Sequence, residues 1–226
     1  AYLTSADLGP VEALSAALRE RGFDVLGFFA PSLKAPGVSG WLSRQIRHLK
    51  PSAIVNATSF SGKDDSGSSP LDAGDVPIFQ IALSTSNRAA WAEAERGLSP
   101  ADLAMHVVLP ELDGRLFAGV ASFKEPQPRD PHLQFARFAH SPEAARVSAI
   151  ADKVRAWTDL ANRPTAHRTP ALVLSTYPGK DWNVAHAVGL DALASAEAIL
   201  EDLRGDGYDI QDGPALQEAL AARAFK

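Results

Sequence analysis

The chain has 226 residues, of which 46% are hydrophobic and 22% are charged, with a formal net charge of −5 and a pI near 5.7. This composition is typical of a globular protein, and an acidic balance without a basic patch argues against nucleic acid as a partner. Cysteine is absent, which excludes disulfides and thiolate metal sites. We find no signal peptide and no long apolar run, so we expect a cytoplasmic protein that has no contact with the membrane.

The first 125 residues alternate helix-like and strand-like segments. In chain order they are a helix at Leu8–Arg21, a strand at Phe23–Ala30, a helix at Val38–Leu49, and strands at Ser52–Ala57 and Val76–Leu83. Strands joined by helices imply a parallel sheet with right-handed crossovers. We therefore predict a partial doubly wound, Rossmann- or flavodoxin-like α/β domain over residues 1–125. Because no strand precedes the opening helix, we expect the first strand to lie upstream of Ala1.

The middle of the chain breaks this alternation. We predict short helices at Ser86–Glu95 and Ser99–Met105, and an inserted hairpin that joins strands His106–Pro110 and Arg115–Lys124 through Asp113 and Gly114. Residues 126–165 are expected to form a connection and a long helix, Ser141–Asn162.

Residues 166–226 repeat the opening layout. A strand at Pro170–Thr176, a helix at Val188–Arg204 and a further strand starting at Gly207–Ile210 indicate the start of a second α/β domain.

Three loops follow predicted strands, where open parallel sheets bind their ligands. The first, Thr58–Gly74, is rich in Ser, Gly and Asp but has no complete phosphate motif, because Gly62-Lys63 lacks an upstream glycine and is followed by Asp64. A surface loop without a ligand is the alternative.

The second loop runs from Tyr177 to His186. Its candidate ligand-binding residues combine an aromatic ring, a cation, an indole, an amide and an imidazole: Tyr177, Lys180, Trp182, Asn183 and His186. The helix that follows would direct its N-terminus at the same place, which favours an anionic ligand. A polar turn at the surface is the alternative.

The third loop, Phe123–His140, mixes ionisable groups with aromatic rings. The ionisable residues are Lys124, Arg129, His132, Arg137 and His140, among Phe135 and Phe138. Such a mixture suits a flat ring that carries carboxylates, and we select Arg137 and His140 as candidate contacts. A rim at a domain boundary is the alternative.

No catalytic residue or metal ligand can be assigned from spacing. The six histidines form no HxxxH or HxH pair. We expect His106 to be simply buried, while Glu111 is a possible acid or base. No nucleophile elbow and no GxGxxG motif is present.

Several blocks resemble one family in the same order. They are the segment LSTYPGKDWNVAHAVGLDALASAEAILEDLRGDGYDI that begins at Leu174, PLDAGDVPIFQIALSTS from Pro70, GLSPADLAMHVVLPELDGRLFAG from Gly97, the turn Phe123-Lys124-Glu125, and the opening YLTSADLGPVEALSAALRERGFDVLGFF. Together they are similar to the large, CobN-type subunits of aerobic ATP-dependent cobaltochelatases and to the related H subunits of magnesium chelatases, as an internal fragment. The residues of these blocks are more similar to those of the cobalt enzymes than to those of the magnesium enzymes.

This resemblance implies a tetrapyrrole-binding role. The family's large subunit binds the substrate, which for the cobalt enzymes is hydrogenobyrinic acid a,c-diamide on the aerobic route to cobalamin. Co²⁺ is then inserted with ATP hydrolysed by a pair of partner subunits, one an AAA+ ATPase. The complete complex is a cobaltochelatase, a ligase that forms nitrogen–metal bonds. The family's HGxxE segment is absent here, so we expect no metal insertion by this piece alone.

Three alternatives remain at this point. The chain could be a fragment of a magnesium chelatase H-type subunit, a free-standing α/β module that binds a small molecule, or an architectural spacer. A native stop near Lys226 would favour the second, and a lack of tetrapyrrole binding would favour the third.

Overall fold

The computed structural model describes residues 3–174 and 189–211, and near the end residues 213, 214, 216, 218 and 219. It divides into two compact units, residues 1–158 and 159–226. No helix in the described part of the chain is long and apolar enough to cross a membrane.

A four-stranded sheet forms the centre of the first unit. Strands β1 (Ile54–Asn56), β2 (Ile78–Ser84) and β3 (Leu116–Pro126) are parallel neighbours, and β4 (Phe138–Pro142) pairs antiparallel with β3. Strands and helices interleave along the chain, so the α/β fold class is confirmed.

Two faces of the sheet are covered by different helices. The helices of the unit are α1 (Gly9–Glu20), α2 (Val38–Leu49), α3 (Arg88–Glu93), α4 (Pro100–Leu103), α5 (Leu109–Leu112) and α6 (Ala144–Asn162). The first face packs α1 and α6 against Phe79, Ile81 and Leu83 of β2. The second face carries α2 against Ile78, and carries the residues between β2 and β3 against Ala82.

Alternation along β2 produces these two faces. Successive side chains of a strand point to opposite sides, so odd-numbered residues reach one helix layer and even-numbered residues the other. Phe79, Ile81 and Leu83 are at most 1% exposed, and burying each contributes roughly 1.5–3 kcal/mol to folding.

The predicted hairpin at residues 106–124 is wrong. His106–Pro110 is helical: α4 continues through a π-helical turn, Ala104–Val108, into α5. Ser99 caps this run through its side chain, which accepts a hydrogen bond from the Asp102 amide at 3.1 Å. The cap and Pro100 start a helix that the apolar residues Val107 and Val108 continue, and Gly114 follows its end. The hairpin of this unit lies later, between β3 and β4.

The predicted strand at Phe23–Ala30 is also wrong. These residues form no strand, and Leu26, Phe28 and Phe29 are 66%, 46% and 46% exposed. A strand exists only where a neighbouring backbone pairs with it, and no described strand lies beside this segment.

The second unit contains helix α7 (Ala192–Gly205), whose N-terminus is capped by the Asp191 side chain. The predicted helix is therefore present but starts later than Val188. Residues 170–174 and 207–210 form no strand, contrary to prediction, because neither segment pairs with another described backbone. Residues 175–188, including the rest of the predicted strand, lie outside the described residues.

Candidate functional site

The parallel strands end at one edge of the sheet, and β3 extends past its neighbours there. The Lys124 amide donates to the Ser86 carbonyl at 3.1 Å, which joins β3 to the loop that follows β2. Beyond this point the chain forms a hairpin, residues 124–140, which we call the arm. Ligands of open parallel sheets bind at this edge, so the arm and the loop after β2 form the candidate site.

Hydrogen bonds along its whole length shape the arm. Lys124 pairs with His140 and Pro126 with Phe138 in the β3–β4 ladder. Further out, the Gln127 amide donates to the Arg137 carbonyl and the Asp130 amide to the Phe135 carbonyl, both at 2.8 Å. The arm is therefore a formed element rather than an irregular connection.

One carboxylate closes the tip of the arm. Asp130 Oδ1 accepts from the amides of His132 and Leu133 at 2.8 and 2.9 Å. Its negative charge is thus used inside the turn, in the manner of an Asx turn.

The surface of the arm is apolar and cationic. Leu133, Phe135 and Phe138 are 74%, 60% and 61% exposed. The exposed cations Lys124, Arg129 and Arg137 accompany them. Aromatic rings can stack on a flat ligand, and guanidinium groups beside them can bind its carboxylates in a bidentate manner.

His140 lies at the base of the arm and is not part of this exposed surface. Its ring nitrogen Nδ1 lies 2.8 Å from Asp7 Oδ2, and its amide donates to Asp7 Oδ1 at 2.9 Å. Burial raises the pKa of Asp7, but hydrogen bonds from His140 and the charges of His140 and Arg137 outweigh this and lower it overall. Asp7 and His140 therefore fix the arm to the segment that leads into α1.

A buried carboxylate anchors the loop after β2. Asp102 is fully buried; its Oδ2 accepts from the Thr85 amide at 2.9 Å and the Ser84 hydroxyl at 3.3 Å, and Thr85 Oγ1 lies 3.0 Å from both of its carboxylate oxygens. Several neutral donors thus satisfy this charge. They hold the end of β2 rigidly beside the base of the arm.

His106 lies one helical turn after Asp102. It is 3% exposed, and its Nδ1 has no hydrogen-bond partner among the described residues. Burial lowers the pKa of His106; the Asp102 charge opposes that shift and the His140 charge adds to it. The prediction that His106 is buried is confirmed, although it belongs to a helix and not to a strand.

Part of the first predicted loop, residues 58–74, is directed inward. Asp113 accepts from the Ser61 hydroxyl at 2.7 Å and the Gly62 amide at 2.6 Å, and pairs with Arg115 at 2.9 Å. Arg115 also donates to Gln80 Oε1 at 3.2 Å. Two of the donors that made this loop a ligand candidate, Ser61 and Gly62, are therefore used inside the protein, whereas residues 64–68 are exposed.

Arg115 is nearly covered, with a side chain 1% exposed. Burial lowers the pKa of Arg115, while the charges of Asp113 and Asp72 oppose that shift. A buried guanidinium with a good carboxylate partner is a structural lock, because losing that partner leaves an uncompensated charge.

The remaining predicted residues fall elsewhere. The second loop, with Tyr177, Lys180, Trp182, Asn183 and His186, lies outside the described residues. Glu111 is exposed at the end of α5. Within the described part of the chain, no group of three or more His, Asp or Glu side chains could hold a metal ion.

Sequence reasoning missed Asp7, Asp102 and Asp113. Asp102 had one usable signal, since it stands three residues after the capping Ser99. Asp7 had none, because its partner His140 is 133 residues away in the chain.

Comparison with known proteins identifies relatives across nearly the whole chain. The model of the family described as CobN/Magnesium Chelatase matches residues 1–225. The chain is 34% identical over 223 residues to the aerobic cobaltochelatase subunit CobN of a Sinorhizobium species, covering 97% of this chain and 18% of that protein. The CobN subunit of Pseudomonas aeruginosa is 34% identical over 95% of this chain and 17% of its own length.

The similarity extends to a magnesium-chelatase subunit and to a solved structure. The chloroplastic magnesium-chelatase subunit ChlH of Oryza sativa is 28% identical over 97% of this chain and 16% of its own length. The catalytic subunit of cobaltochelatase from Mycobacterium tuberculosis superposes with a TM-score of 0.73 at 30% identity, covering 95% of this chain and 18% of that one. The chain thus spans less than a fifth of the length of these relatives.

Proposed function

The chain belongs to the CobN/Magnesium Chelatase family, and from this membership we propose that it is a region of the large subunit of an ATP-dependent cobaltochelatase. The agreement with cobaltochelatase subunits at 34% identity, against 28% for the plant magnesium-chelatase subunit, carries the proposal. The proposed substrate is hydrogenobyrinic acid a,c-diamide, a precursor of cobalamin. Co²⁺ enters as the second substrate.

The proposal includes partner subunits. ATP is hydrolysed by an AAA+ ATPase that acts with one companion subunit, and the complex works in the cytoplasm, where ATP is supplied. Formation of the nitrogen–metal bonds belongs to the complete complex. The 226 residues alone are expected to insert no cobalt, even with the ATPase pair added.

Within that complex, we assign the arm to substrate contact. Phe135 and Phe138 offer exposed rings to the face of the macrocycle, and Arg129 and Arg137 offer guanidinium groups to carboxylates at its periphery. The fixed base of the arm, held by Asp7 and His140, sets its direction. Metal insertion requires loss of two pyrrole protons and of water around Co²⁺, and a ring held in one orientation favours both steps.

A titration of the assembled chelatase tests this role. We expect the double variant Phe135→Ala/Arg137→Gln to weaken binding of hydrogenobyrinic acid a,c-diamide by about tenfold or more, because it removes a stacking ring and a charge-assisted hydrogen bond. Absorbance of the corrin precursor reports the dissociation constant.

A matched control removes an exposed apolar side chain and an exposed cation away from the arm, as Leu49→Ala/Arg47→Gln on α2. That control is expected to bind normally. Equal affinity of the arm variant and the control would remove the arm from the site and favour an architectural role for the chain. Replacing Tyr177, Trp182 and His186 tests the second loop in the same assay.

A magnesium chelatase H-type role is the second candidate. The 28% identity to the chloroplastic subunit over 97% of this chain favours it over unrelated functions. Titration of the same assembled protein with protoporphyrin IX separates the two, since the cobalt assignment requires tighter binding of the corrin precursor. A free-standing module would instead bind either ring without partner subunits.

A further inference from the structure

Strand β1 has one open edge. Ile54–Asn56 pairs with β2, and the Ile54 amide donates to the Pro77 carbonyl at 3.0 Å. Because the peptide groups of a strand alternate in direction, the N–H and C=O of Val55 point away from β2. No described residue pairs with that side, since β1 ends the order of the sheet.

Residues 23–30 pair with no other described strand, although their composition favours a strand. Phe23 and Val25 pack against the first-face core, while Asp24 and Leu26 between them are exposed. This alternation is that of a strand with one buried face. Beyond Val25 the segment makes no backbone hydrogen bond to another described residue.

The handedness of the crossovers places residues 23–30 relative to β1. The segment connects to β1 through α2, on the second face, where the connections from β1 to β2 and from β2 to β3 also lie. Right-handed crossovers through one face all advance in the same direction across the sheet. Residues 23–30 therefore belong on the side of β1 that is remote from β2.

Helix α1 reverses that direction. It leads into residues 23–30 but packs on the first face. A right-handed crossover through this face runs the opposite way, so a strand feeding α1 belongs on the β1 side of residues 23–30. The lack of pairing between residues 23–30 and β1 leaves the space for it between them.

We propose that the edge of β1 accepts one added parallel strand, which lies between β1 and residues 23–30 and pairs with both. The order of the completed sheet is residues 23–30, the added strand, β1, β2, β3, β4. The occupant is a segment of the same large subunit outside these 226 residues, which span 18% of the CobN relative.

The surroundings define the chemistry of the added strand. On the first face it meets Val25 and Val55. On the second face it lies beside Ile54 and the exposed pair Phe28–Trp41, whose ring centroids are 5.7 Å apart. A strand buried on both faces reads as a continuous aliphatic run, so we expect mainly Val and Ile without charge. The proposal does not depend on the arm binding a tetrapyrrole.

Amide hydrogen exchange compared between the 226-residue chain and the full-length large subunit tests the proposal. We expect alternate amides of residues 25–29, those that face the added strand, and the amide of Val55 to exchange at least ~10-fold more slowly in the full-length protein, because an unpaired amide exchanges directly with water and a paired amide exchanges only when its strand opens. Protection that appears on β4, or no change at residues 25–29 and 55, overturns it. Protection in the short chain that rises with its concentration also overturns it, since a second copy is then the occupant.

A proline pair adds a second test. Proline is tolerated where a strand amide faces outward. Val55→Pro should therefore lower the thermal unfolding temperature of the 226-residue chain only slightly. The same substitution should remove the extra protection in the full-length subunit. Ile54→Pro is the matched control, and it should destabilise both proteins because the Pro77 carbonyl loses its donor. If Val55→Pro leaves the extra protection intact, the added strand does not pair at this edge.

Discussion

Loop 58–74 and the arm look alike in sequence and differ in the direction of their polar groups. Both are rich in polar residues and both follow strands of the parallel sheet. In the loop, Ser61 and Gly62 donate to the buried Asp113, whereas on the arm Arg129 and Arg137 face solvent beside exposed rings. The same composition therefore stabilises the fold at one place and leaves an exposed surface at the other, which we propose as the binding surface.

The largest expected effect comes from removing Asp113, the carboxylate that binds Ser61, Gly62 and Arg115. Asp113→Ala should lower the free energy of unfolding by about 3–5 kcal/mol, because Arg115 is left buried without its carboxylate. Urea denaturation measures the loss. The double variant Asp113→Ala/Arg115→Met should recover part of it; a double variant no more stable than the single one would contradict the role of the unpaired charge.

A smaller loss is expected at Gly62. The Cβ of an alanine there would clash with Arg115 Nη2 and would lie 2.8 Å from Leu33 Cδ1. Overpacking of this kind costs roughly 1–3 kcal/mol, again measured by urea denaturation. Gly67→Ser, on the exposed part of the same loop, shares no such contact but has a positive φ of 78°. It is therefore expected to cost less than Gly62→Ala, and the reverse order would show that the loop is not held by its contact with Arg115.

The buried His106 should make stability depend on pH. Its pKa is lowered in the folded protein, so the unfolded chain takes up a proton near pH 6.5 that the folded chain does not. Stability is then fully present above about pH 6.5 and falls as the pH drops towards the folded pKa, by at most about 1.4 kcal/mol per pH unit.

His106→Gln should flatten the unfolding free energy between pH 7 and 5, as followed by denaturation at each pH. His48→Gln, at an exposed site, is the matched control. An unchanged slope in His106→Gln would mean that this imidazole does not carry the effect. The lowered pKa of Asp7 also contributes stability, and this contribution is lost separately, as the pH falls below the ordinary value of 3.8.

The smallest effect on stability is expected on the arm. Phe138→Ala and Arg129→Gln remove exposed side chains, so each should change the unfolding free energy by no more than about 0.5 kcal/mol. Thermal denaturation checks this. A large loss of unfolding free energy would show that the arm stabilises the fold as loop 58–74 does, and would contradict the contrast between the two regions.

The sequence was most informative where local pattern and tertiary contact agree. The apolar run at residues 76–83 and the long helix before Asn162 were both recognised, because each buries a regular face. The strand predicted at residues 23–30 is absent, because a strand needs a neighbouring backbone to pair with and no described strand lies beside this segment. His106–Pro110 was misread because two consecutive valines favour a strand, whereas the Ser99 cap had already started a helix.

The candidate site divided in the same way. The exposed rings and cations of the arm are close in the chain, so the sequence alone groups them, and their role in binding stays a prediction. The inward role of Gly62 could not, because its acceptor Asp113 lies 51 residues away. His140 was chosen as a contact for a ring, and its nitrogen Nδ1 instead faces Asp7; Arg137 stays a prediction on the exposed part of the arm.

The turn closed by Asp130 has a kinetic consequence. Because its carboxylate already holds two amides of the tip, a ligand that binds as we propose would meet the arm in its final shape, with little loss of conformational entropy on contact. Association then needs no slow ordering step. Flat rings that differ in their peripheral groups should therefore differ chiefly in residence time, and much less in how fast they arrive.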